Sequence, residues 1–272
     1  MSLETMFNVA GKSVIVTGGA SGIGRAYAEI MVECGAQVCI LDCDQDGLGQ
    51  TVAQIEAEGW SGRVWSIPVD VSDRPALAEA FDAVARTHGR IDVVFANAGL
   101  DAGPGFKTPE GERHPLGQID TMPEDQWDRV LDVNLTAVFS TIRNAARHMK
   151  ATGGGRIIVT SSVAARVNES FVGTAYMPAK AGVYHLVRNV AMELAAFGIL
   201  VNCISPGPFI TNIAGGRLKN AADRAAFEAQ SLLGRIADPD EIKGLALFLA
   251  SPASSYVTGA QLTIDGGSSL RG

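Results

Sequence analysis

Four residues between positions 156 and 180 have the side chains needed to move a proton to or from an alcohol. Ser161 and Ser162 follow an apolar, β-branched run at 156–160 that is typical of a buried strand. Tyr176 and Lys180 are four residues apart, so a helix places them on one face. An ammonium beside a phenol favours the phenolate, which predicts a Tyr176 pKa below its usual value of about 10. Such a tyrosine exchanges a proton with an alcohol or ketone oxygen that a serine hydroxyl holds in place, without a metal.

The spacing Tyr-x-x-x-Lys is by itself a weak signal, because a surface helix with a half-buried tyrosine has the same pattern. Pro178 restricts the helix further. A proline is tolerated there only if the helix begins near Ala175, since amides of the first turn lack intrahelical partners. The motif therefore takes its weight from the rest of the chain.

A glycine-rich turn near the N-terminus indicates a nucleotide site. An apolar strand at 13–16 is followed by Gly18, Gly22 and Gly24, and then by a helical pattern that runs through Cys34. Glycines between a strand and a helix permit a sharp turn and let the backbone approach a pyrophosphate, which the helix dipole stabilises. The spacing G-x-x-x-G-x-G in this position predicts a dinucleotide-binding turn.

The next strand, at 37–41, indicates which dinucleotide is bound. It ends in Asp42, which lies 18 residues past Gly24, close to the position of the acid that binds the adenosine ribose. No Arg or Lys occurs between Arg25 and Arg63, so a 2′-phosphate would meet repulsion without a neighbouring cation. The sequence therefore predicts NAD rather than NADP. A helix N-cap, the alternative role for such an acid, suits Asp44 better.

Polar or small residues also follow the third and fourth predicted strands, at 63–69 and 91–96. Asp70 has two interpretations: it lies near an adenine amino group, or it caps the helix that starts near Pro75. The fourth strand leads into Asn97, Ala98 and Gly99, which let a cofactor pass close to the backbone. These residues extend the predicted nucleotide site along one sheet edge.

Residues 100–120, rich in Gly, Pro and charge, form a loop of a length that is uncommon unless the loop is functional or mobile. The loop borders the substrate site or is a solvated excursion. A capping box from Thr121 to Glu124 then predicts a long helix over 121–150 that contains Asn134. A buried amide in mid-helix needs partners, and it often bends the helix or holds water.

Strands alternate with helices seven times along the chain, without a linker or a repeat. This order predicts one Rossmann-type, doubly wound α/β domain over 1–272, a parallel seven-stranded sheet with helices on both faces. The cofactor half spans about 10–155, and the catalytic and substrate half spans 156–272. The remaining strands, at 199–204 and 261–264, flank a polar, Ala-rich lid over 207–235.

Composition excludes several other classes of protein. The net charge of −7 argues against nucleic acid and anionic membrane surfaces as partners. The chain has no apolar run of about 18 residues for a membrane span, and its first residues do not form a signal peptide. The four cysteines lack metal-site spacing, so no metal is expected, and free thiols fit a reducing cytoplasm. We expect a cytoplasmic protein with a small-molecule substrate.

Together these motifs resemble the shorter, single-domain branch of the short-chain dehydrogenase/reductase family over nearly the whole chain. Each piece is weak alone, but their joint occurrence in this order is specific. The matching residues are Thr17, Gly18, Gly22, Ile23, Gly24, Asp70, Val71, Asn97, Ala98, Gly99, Asn134, Ser162, Tyr176, Lys180, Pro206 and Gly207.

The resemblance implies a role for each residue. Tyr176 would be the acid/base, and Ser162 would orient the substrate oxygen. Lys180 would bind the nicotinamide ribose and lower the tyrosine pKa, while Asn134 would hold a water that relays the proton. Cofactor contacts would come from Gly18, Ser21, Gly22, Ile23, Gly24, Asp42, Asp70, Val71, Asn97, Ala98, Gly99, Tyr176, Lys180, Pro206, Gly207, Phe209 and Thr211. A homotetramer, with the helices of Asn134 and Tyr176 at a dimer interface, is the common state of the family.

Two departures from the family pattern leave questions open. Ser162 precedes Tyr176 by 14 residues, one more than is common, so Ser161 stays a candidate for the catalytic serine. The loop 100–120 is longer than usual, which leaves steroid, aromatic and sugar alcohols open as substrates. The leading hypothesis is an NAD-dependent oxidoreductase that interconverts a secondary alcohol and its ketone. The alternatives are an NADPH-dependent 3-ketoacyl-carrier reductase and a non-enzymatic nucleotide-sensing protein.

Overall fold

A parallel β-sheet forms the centre of the molecule. The computed structural model describes residues 2–108, 111–212, 216, 218 and 220–270, and of residues 221–223 and 226 the backbone alone. The strands are β1 Ser13–Thr17, β2 Gln37–Asp42, β3 Val64–Pro68, β4 Val93–Ala96, β5 Gly155–Thr160, β6 Ile199–Pro206 and β7 Gln261–Ile264. In the described part of the chain these seven strands lie in the order β3-β2-β1-β4-β5-β6-β7, and all neighbours pair in parallel. The predicted seven-stranded, doubly wound sheet is confirmed.

Helices cover both faces of the sheet, which explains why its central strands are continuous apolar runs. All residues of β1, for example, are buried. The α-helices are α1 Leu3–Met6, α2 Gly22–Glu33, α3 Gln45–Ile55, α4 Arg74–His88, α5 Glu124–Leu131, α6 Ala137–Thr152, α7 Tyr176–Leu194, α8 Ala221–Glu228 and α9 Lys243–Ala250. Core side chains of α4, α6 and α7 pack on one face, and those of α2, α3 and α9 pack on the other. Because α7 begins at Tyr176, Pro178 lies in its first turn, as the sequence requires.

The helix predicted over 121–150 is divided into two by a π-helical turn at Asp132–Thr136, between α5 and α6. The predicted capping box is wrong. The Thr121 hydroxyl donates to the carbonyls of Pro115 (2.7 Å) and Gln118 (3.3 Å) in the preceding loop, and the helix begins at Glu124. Tertiary contacts thus override the local capping pattern.

The long loop after β4 is paired with the segment that leads into α7. The Gly105 N–H donates to the Phe171 carbonyl at 3.2 Å, and the Lys107 N–H donates to the Ser170 carbonyl at 2.9 Å. A bridge between Lys107 and Arg113 folds the loop back on itself. These bonds anchor one side of the loop, while most of the described residues of 106–120 are exposed, so both interpretations of the loop remain predictions.

The region predicted as a lid over 207–235 contains α8, whose Phe227 ring meets the Phe171 ring edge-on at 5.2 Å between centroids. Positions 213–215, 217 and 219 of this prediction lie outside the described residues. Among the described helices, none combines the length and apolarity needed to cross a bilayer. In the same residues, no three His, Cys, Asp or Glu side chains group closely enough to hold a metal ion.

Candidate active site

A cavity of about 600 Å³ opens at the carboxyl ends of the strands, beside β1 and β4. Successive strands run outwards in one direction from β1 and in the other from β4, so this point is the topological switch point where such sheets bind ligands. Every residue predicted to contact substrate or cofactor lines this cavity. They are Gly18, Ser21, Gly22, Ile23, Gly24, Asp42, Asp70, Val71, Asn97, Ala98, Gly99, Asn134, Ser162, Tyr176, Lys180, Pro206, Gly207, Phe209 and Thr211.

The glycine turn between β1 and α2 has a geometry that a larger residue would not permit. Gly18 and Gly22 have φ angles of +68° and +54°, in the left-handed region that favours glycine. A Cβ atom at Gly24 would overlap the Gly18 carbonyl. The first-turn N–H groups of α2 have no intrahelical partners, and Ser21 makes no side-chain cap bond among the described residues. This bare helix N-terminus at the cavity fits the pyrophosphate of a dinucleotide.

Asn97 fixes the turn from the neighbouring strand end. Its amide nitrogen donates to the carbonyls of Thr17 (3.1 Å) and Gly18 (3.2 Å), and its amide oxygen accepts from the Thr160 hydroxyl at 3.0 Å. The side chain therefore joins the ends of β1, β4 and β5. Through these bonds Asn97 acts on the shape of the glycine turn as well as on the cavity wall.

Two acids, Asp42 and Asp70, lie at the carboxyl ends of β2 and β3, on the side of the sheet away from β5 and Ser162. The Asp42 carboxylate accepts the N–H groups of Ala20 and Asp44, each at 3.1 Å, which fixes it at the cavity wall. Asp44 caps α3, as expected. Asp70 does not cap α4, because Asp73 is its N-cap. The Asp70 carboxylate instead accepts hydrogen bonds from the N–H and the hydroxyl of Ser72. The adenine-side interpretation of Asp70 remains a prediction.

The proposed proton-transfer residues meet in the same cavity. Ser162 lies close enough to Tyr176 for its hydroxyl to lower the pKa of the phenol. The Lys180 ammonium donates to the Thr160 carbonyl at 3.0 Å and lies 5.5 Å from the centroid of the Tyr176 ring. Ser161 is turned elsewhere, since its hydroxyl donates to the Lys180 carbonyl at 3.3 Å. Of the two serines, the structure therefore brings Ser162 to the tyrosine.

Burial controls the protonation of this group. It raises the pKa of Tyr176 to about 12, against the lowering effect of the Ser162 hydrogen bond, and the Asp101 and Glu169 carboxylates raise it further. Burial also lowers the pKa of Lys180 to about 8. The expectation that lysine brings the tyrosine pKa below 10 is wrong for the protein alone. Both groups are shielded from water, and desolvation penalises the phenolate and the ammonium alike.

Asn134 lies fully buried in the π-helical turn. Its side-chain oxygen accepts from the Leu100 N–H at 3.1 Å, and its nitrogen donates to the Leu100 carbonyl at 2.9 Å. A buried amide thus finds both partners in the first residue of the long loop. Turns of this kind occur often at functional sites, because the extra residue re-aims a side chain.

Sequence reasoning missed several residues of the cavity wall. Cys43 directly follows Asp42, which was predicted at a strand end, and Asp101 lies two residues past Gly99 in the long loop; this closeness in sequence is the signal that could have found them. Arg129 lies on α5 and Asp132 opens the π-helical turn three residues later, so the two share a face. All four side chains line the cavity.

A parallel sheet wound in both directions, with a glycine turn at its switch point, defines the dinucleotide-binding Rossmann class. A family model described as "Enoyl-(Acyl carrier protein) reductase" matches residues 18–269. The chain belongs to the short-chain dehydrogenase/reductase family.

Relatives of known name and structure cover almost the whole chain. The (+)-borneol dehydrogenase 1 of Salvia officinalis is 37% identical over 263 residues, which span 96% of this chain and 94% of the relative. The L-rhamnose 1-dehydrogenase (NAD(P)(+)) of a Sphingomonas species is 38% identical over 260 residues, spanning 94% and 96%. The crystal structure of a short-chain type dehydrogenase/reductase from Mycobacterium marinum has a TM-score of 0.87 at 34% identity and covers 98% of this chain and 99% of that chain. These matches make the chain an NAD(P)-dependent oxidoreductase of CH–OH groups.

Proposed function

We propose that this protein is an NAD-dependent oxidoreductase that interconverts a secondary alcohol and its ketone, with Tyr176 as the acid/base. The observation that carries the proposal is that Ser162, Tyr176 and Lys180 meet beside the glycine turn in one cavity. The relatives named as borneol and L-rhamnose dehydrogenases support an alcohol or a sugar as the substrate class.

The residues of the cavity supply places for each part of NAD. The first-turn amides after Ser21 would hold the pyrophosphate, and Asp42 would accept the adenosine ribose hydroxyls. Lys180 would donate to the nicotinamide ribose. Phe209 and Thr211, which follow the turn after β6, would lie against the nicotinamide. When bound, the oxidised ring supplies an acceptor for the hydride that leaves the carbinol carbon.

The protein's own groups handle the proton. The substrate hydroxyl would lie between the Ser162 and Tyr176 hydroxyls, where Ser162 donates a hydrogen bond to the substrate oxygen. Tyr176, as the phenolate, accepts the hydroxyl proton while the C–H bond breaks and the C=O bond forms. In the reverse direction Tyr176 returns this proton to the ketone oxygen. Asn134 would hold the water through which the proton exchanges with solvent.

Because the pKa of Tyr176 is high in the protein alone, the cofactor would also have to stabilise the phenolate. Burial leaves the Tyr176 pKa at about 12, and the Ser162 hydroxyl offsets only part of this rise. We assign the further stabilisation of the phenolate to the positive charge of the oxidised nicotinamide ring, because an opposite charge within a few ångströms favours the ionised form. Alcohol oxidation would then require the cofactor to bind before the proton moves.

Replacing the phenol of Tyr176 tests the proposal. Tyr176→Phe is expected to lower kcat for alcohol oxidation by about 10² to 10⁴-fold, the usual share of an acid/base group. NADH affinity, measured by fluorescence titration, should stay nearly unchanged. Tyr184→Phe is a matched control, since it removes a phenol hydroxyl from the same helix without touching the cavity. Unchanged turnover in Tyr176→Phe would refute the assignment.

A second candidate function is an NADPH-dependent 3-ketoacyl-carrier reductase, which shares with the description of the family model a substrate bound to an acyl carrier, although that description names an enoyl group. Asp42 speaks against it, because its carboxylate would face the 2′-phosphate of NADPH. Two assays distinguish the two candidate functions. NADPH-driven reduction of a 3-ketoacyl thioester supports the second candidate, and NAD reduction across a panel of secondary alcohols supports the first.

A further inference from the structure

The base of the long loop is held against α5 by one glutamine. The side-chain nitrogen of Gln126 donates to the Ala102 carbonyl at 2.5 Å. Gly103 follows with a φ of +76°, and a Cβ atom there would overlap the Gln126 amide. Ala102 itself is fully buried. The Gln126 amide therefore packs directly against the backbone of Ala102 and Gly103 and leaves no space for a side chain at Gly103.

The same carbonyl of Ala102 lies against the turn that starts the helix of Tyr176. A Cβ atom at Gly173 would overlap the Ala102 carbonyl, so these two backbone segments are in direct contact. The Gly173 carbonyl in turn accepts the N–H of Tyr176 at 3.0 Å. A continuous line of contacts thus runs from Gln126 through Ala102 and Gly173 to Tyr176.

Neighbouring contacts keep this line rigid. Asn134 holds Leu100 by both its N–H and its carbonyl, two residues before Ala102. Ala102 shares a small apolar cluster with Val130 and Ala175, and the Tyr176 ring packs against this cluster. The loop base is therefore fixed on one side by α5 and the π-helical turn, and it presses on the start of α7 on the other.

We propose that Gln126 is a positioning residue for Tyr176 and acts through the Ala102 carbonyl and the Gly173 turn. The inference rests on the proposed role of Tyr176 as the acid/base. Gln126 is not among the described residues that line the cavity, so its proposed effect is indirect. Its function is to hold the tyrosine hydroxyl at the distance from Ser162 at which the substrate oxygen can bond to both.

The chain offers a pair of test variants and a matched control. Gln126→Ala removes the amide, and Gln126→Met keeps a side chain of similar length without an N–H donor. Gln118→Ala removes a glutamine of the outer loop, whose amide donates to the Phe106 and His114 carbonyls at 2.9 and 3.0 Å. Both Gln126 variants are expected to lower kcat by about ten-fold or more, because small displacements of a reacting group are costly. Gln118→Ala should keep the parental kcat.

Two further readouts separate positioning from a general loss of stability. The NADH affinity of the Gln126 variants should equal that of the parent, since the cofactor end of the cavity keeps its contacts. The acidic limb of the kcat/KM pH profile for alcohol oxidation should move to higher pH. The Ser162 hydrogen bond lowers the pKa of Tyr176, so a displaced tyrosine loses this effect. Thermal unfolding of each variant confirms that it is folded.

Distinct outcomes overturn the inference and the proposed function. If Gln126→Met retains the parental kcat and pH profile, the hydrogen bond to Ala102 does not position the tyrosine. The same conclusion follows if the Gln126 variants behave like Gln118→Ala while Tyr176→Phe is inactive. If Tyr176→Phe itself turns over normally, the proposed function fails first.

Discussion

The polar side chains of the cavity are fixed mainly by backbone groups of neighbouring strands and loops. Asp42 accepts two backbone N–H groups, Asn97 donates to two carbonyls, and Asn134 pairs with both polar groups of Leu100. Lys180, only 3% exposed, donates to the Thr160 carbonyl. Pre-organised groups of this kind lose little freedom when a ligand binds. Their substitution therefore changes local structure as well as chemistry.

At the residue scale, the charge of Asp42 should decide between the two dinucleotides. The proposed enzyme should use NAD far more efficiently than NADP, and Asp42→Ala should narrow this gap in kcat/KM. The change removes a carboxylate that would bind the ribose of NAD, worth about 1.5–3 kcal/mol for a charged hydrogen bond, and that would repel the 2′-phosphate of NADP.

Asp44→Ala is the matched control for this prediction. Asp44 is a neighbouring carboxylate that caps α3, and its loss should cost about 1 kcal/mol of stability without altering the cofactor preference. Equal efficiency of NAD and NADP in the parent enzyme would contradict the assignment of Asp42.

Among the elements, the strands and the glycine turn could be predicted because their signals are local. β7 spans Gln261–Ile264, the range predicted from its residues, and the other strands differ from prediction by one or two residues at either end. The π-helical turn could not be predicted, because it forms where Asn134 bonds Leu100, 34 residues away in the chain. The depth at which Tyr176 is buried is likewise a tertiary property. For that reason its spacing to Lys180 predicted the wrong direction for its pKa.

The N-terminus of α2 should tolerate no side chain at Gly24. Gly24→Ala places a Cβ atom onto the Gly18 carbonyl, so the turn must shift away from the pyrophosphate position. We expect NADH affinity to fall by about ten-fold or more. A ten-fold loss corresponds to about 1.4 kcal/mol of binding free energy. Calorimetric titration with NADH measures this directly.

Gly49→Ala in α3 provides the comparison. Within the described residues nothing lies within 4 Å of a Cβ atom at Gly49, so alanine should raise stability by about 0.4–1 kcal/mol and leave NADH binding alone. Parental NADH affinity in Gly24→Ala would show that the turn does not cradle the cofactor.

At the scale of the whole molecule, the helices of the site also carry exposed apolar side chains. Phe139 on α6 is 48% exposed and Met192 on α7 is 82% exposed. Apolar groups in such positions mark protein–protein contact surfaces when they are contiguous. The homotetramer expected from the family resemblance would cover them if its dimer interface lies, as in the family, on the helices next to Asn134 and Tyr176.

Light scattering tests this assembly. The parent should have four times the chain mass of 28.4 kDa, and Met192→Lys should reduce the measured mass. Leu116→Lys, an exposed apolar residue of the long loop, should not do so. A monomer at every concentration of the parent would contradict the expected state.

The pairing of the long loop with residues 170–172 has a consequence for how this part of the molecule can change over generations. The bonds of Gly105 and Lys107 to this segment join main-chain atoms, so they persist whichever side chains occupy most of these positions. Gly105 is an exception, because a Cβ atom there would strike the backbone of Ser170 and Phe171. Selection can thus exchange the flanking side chains while the main-chain framework that leads into the helix of Tyr176 is inherited intact.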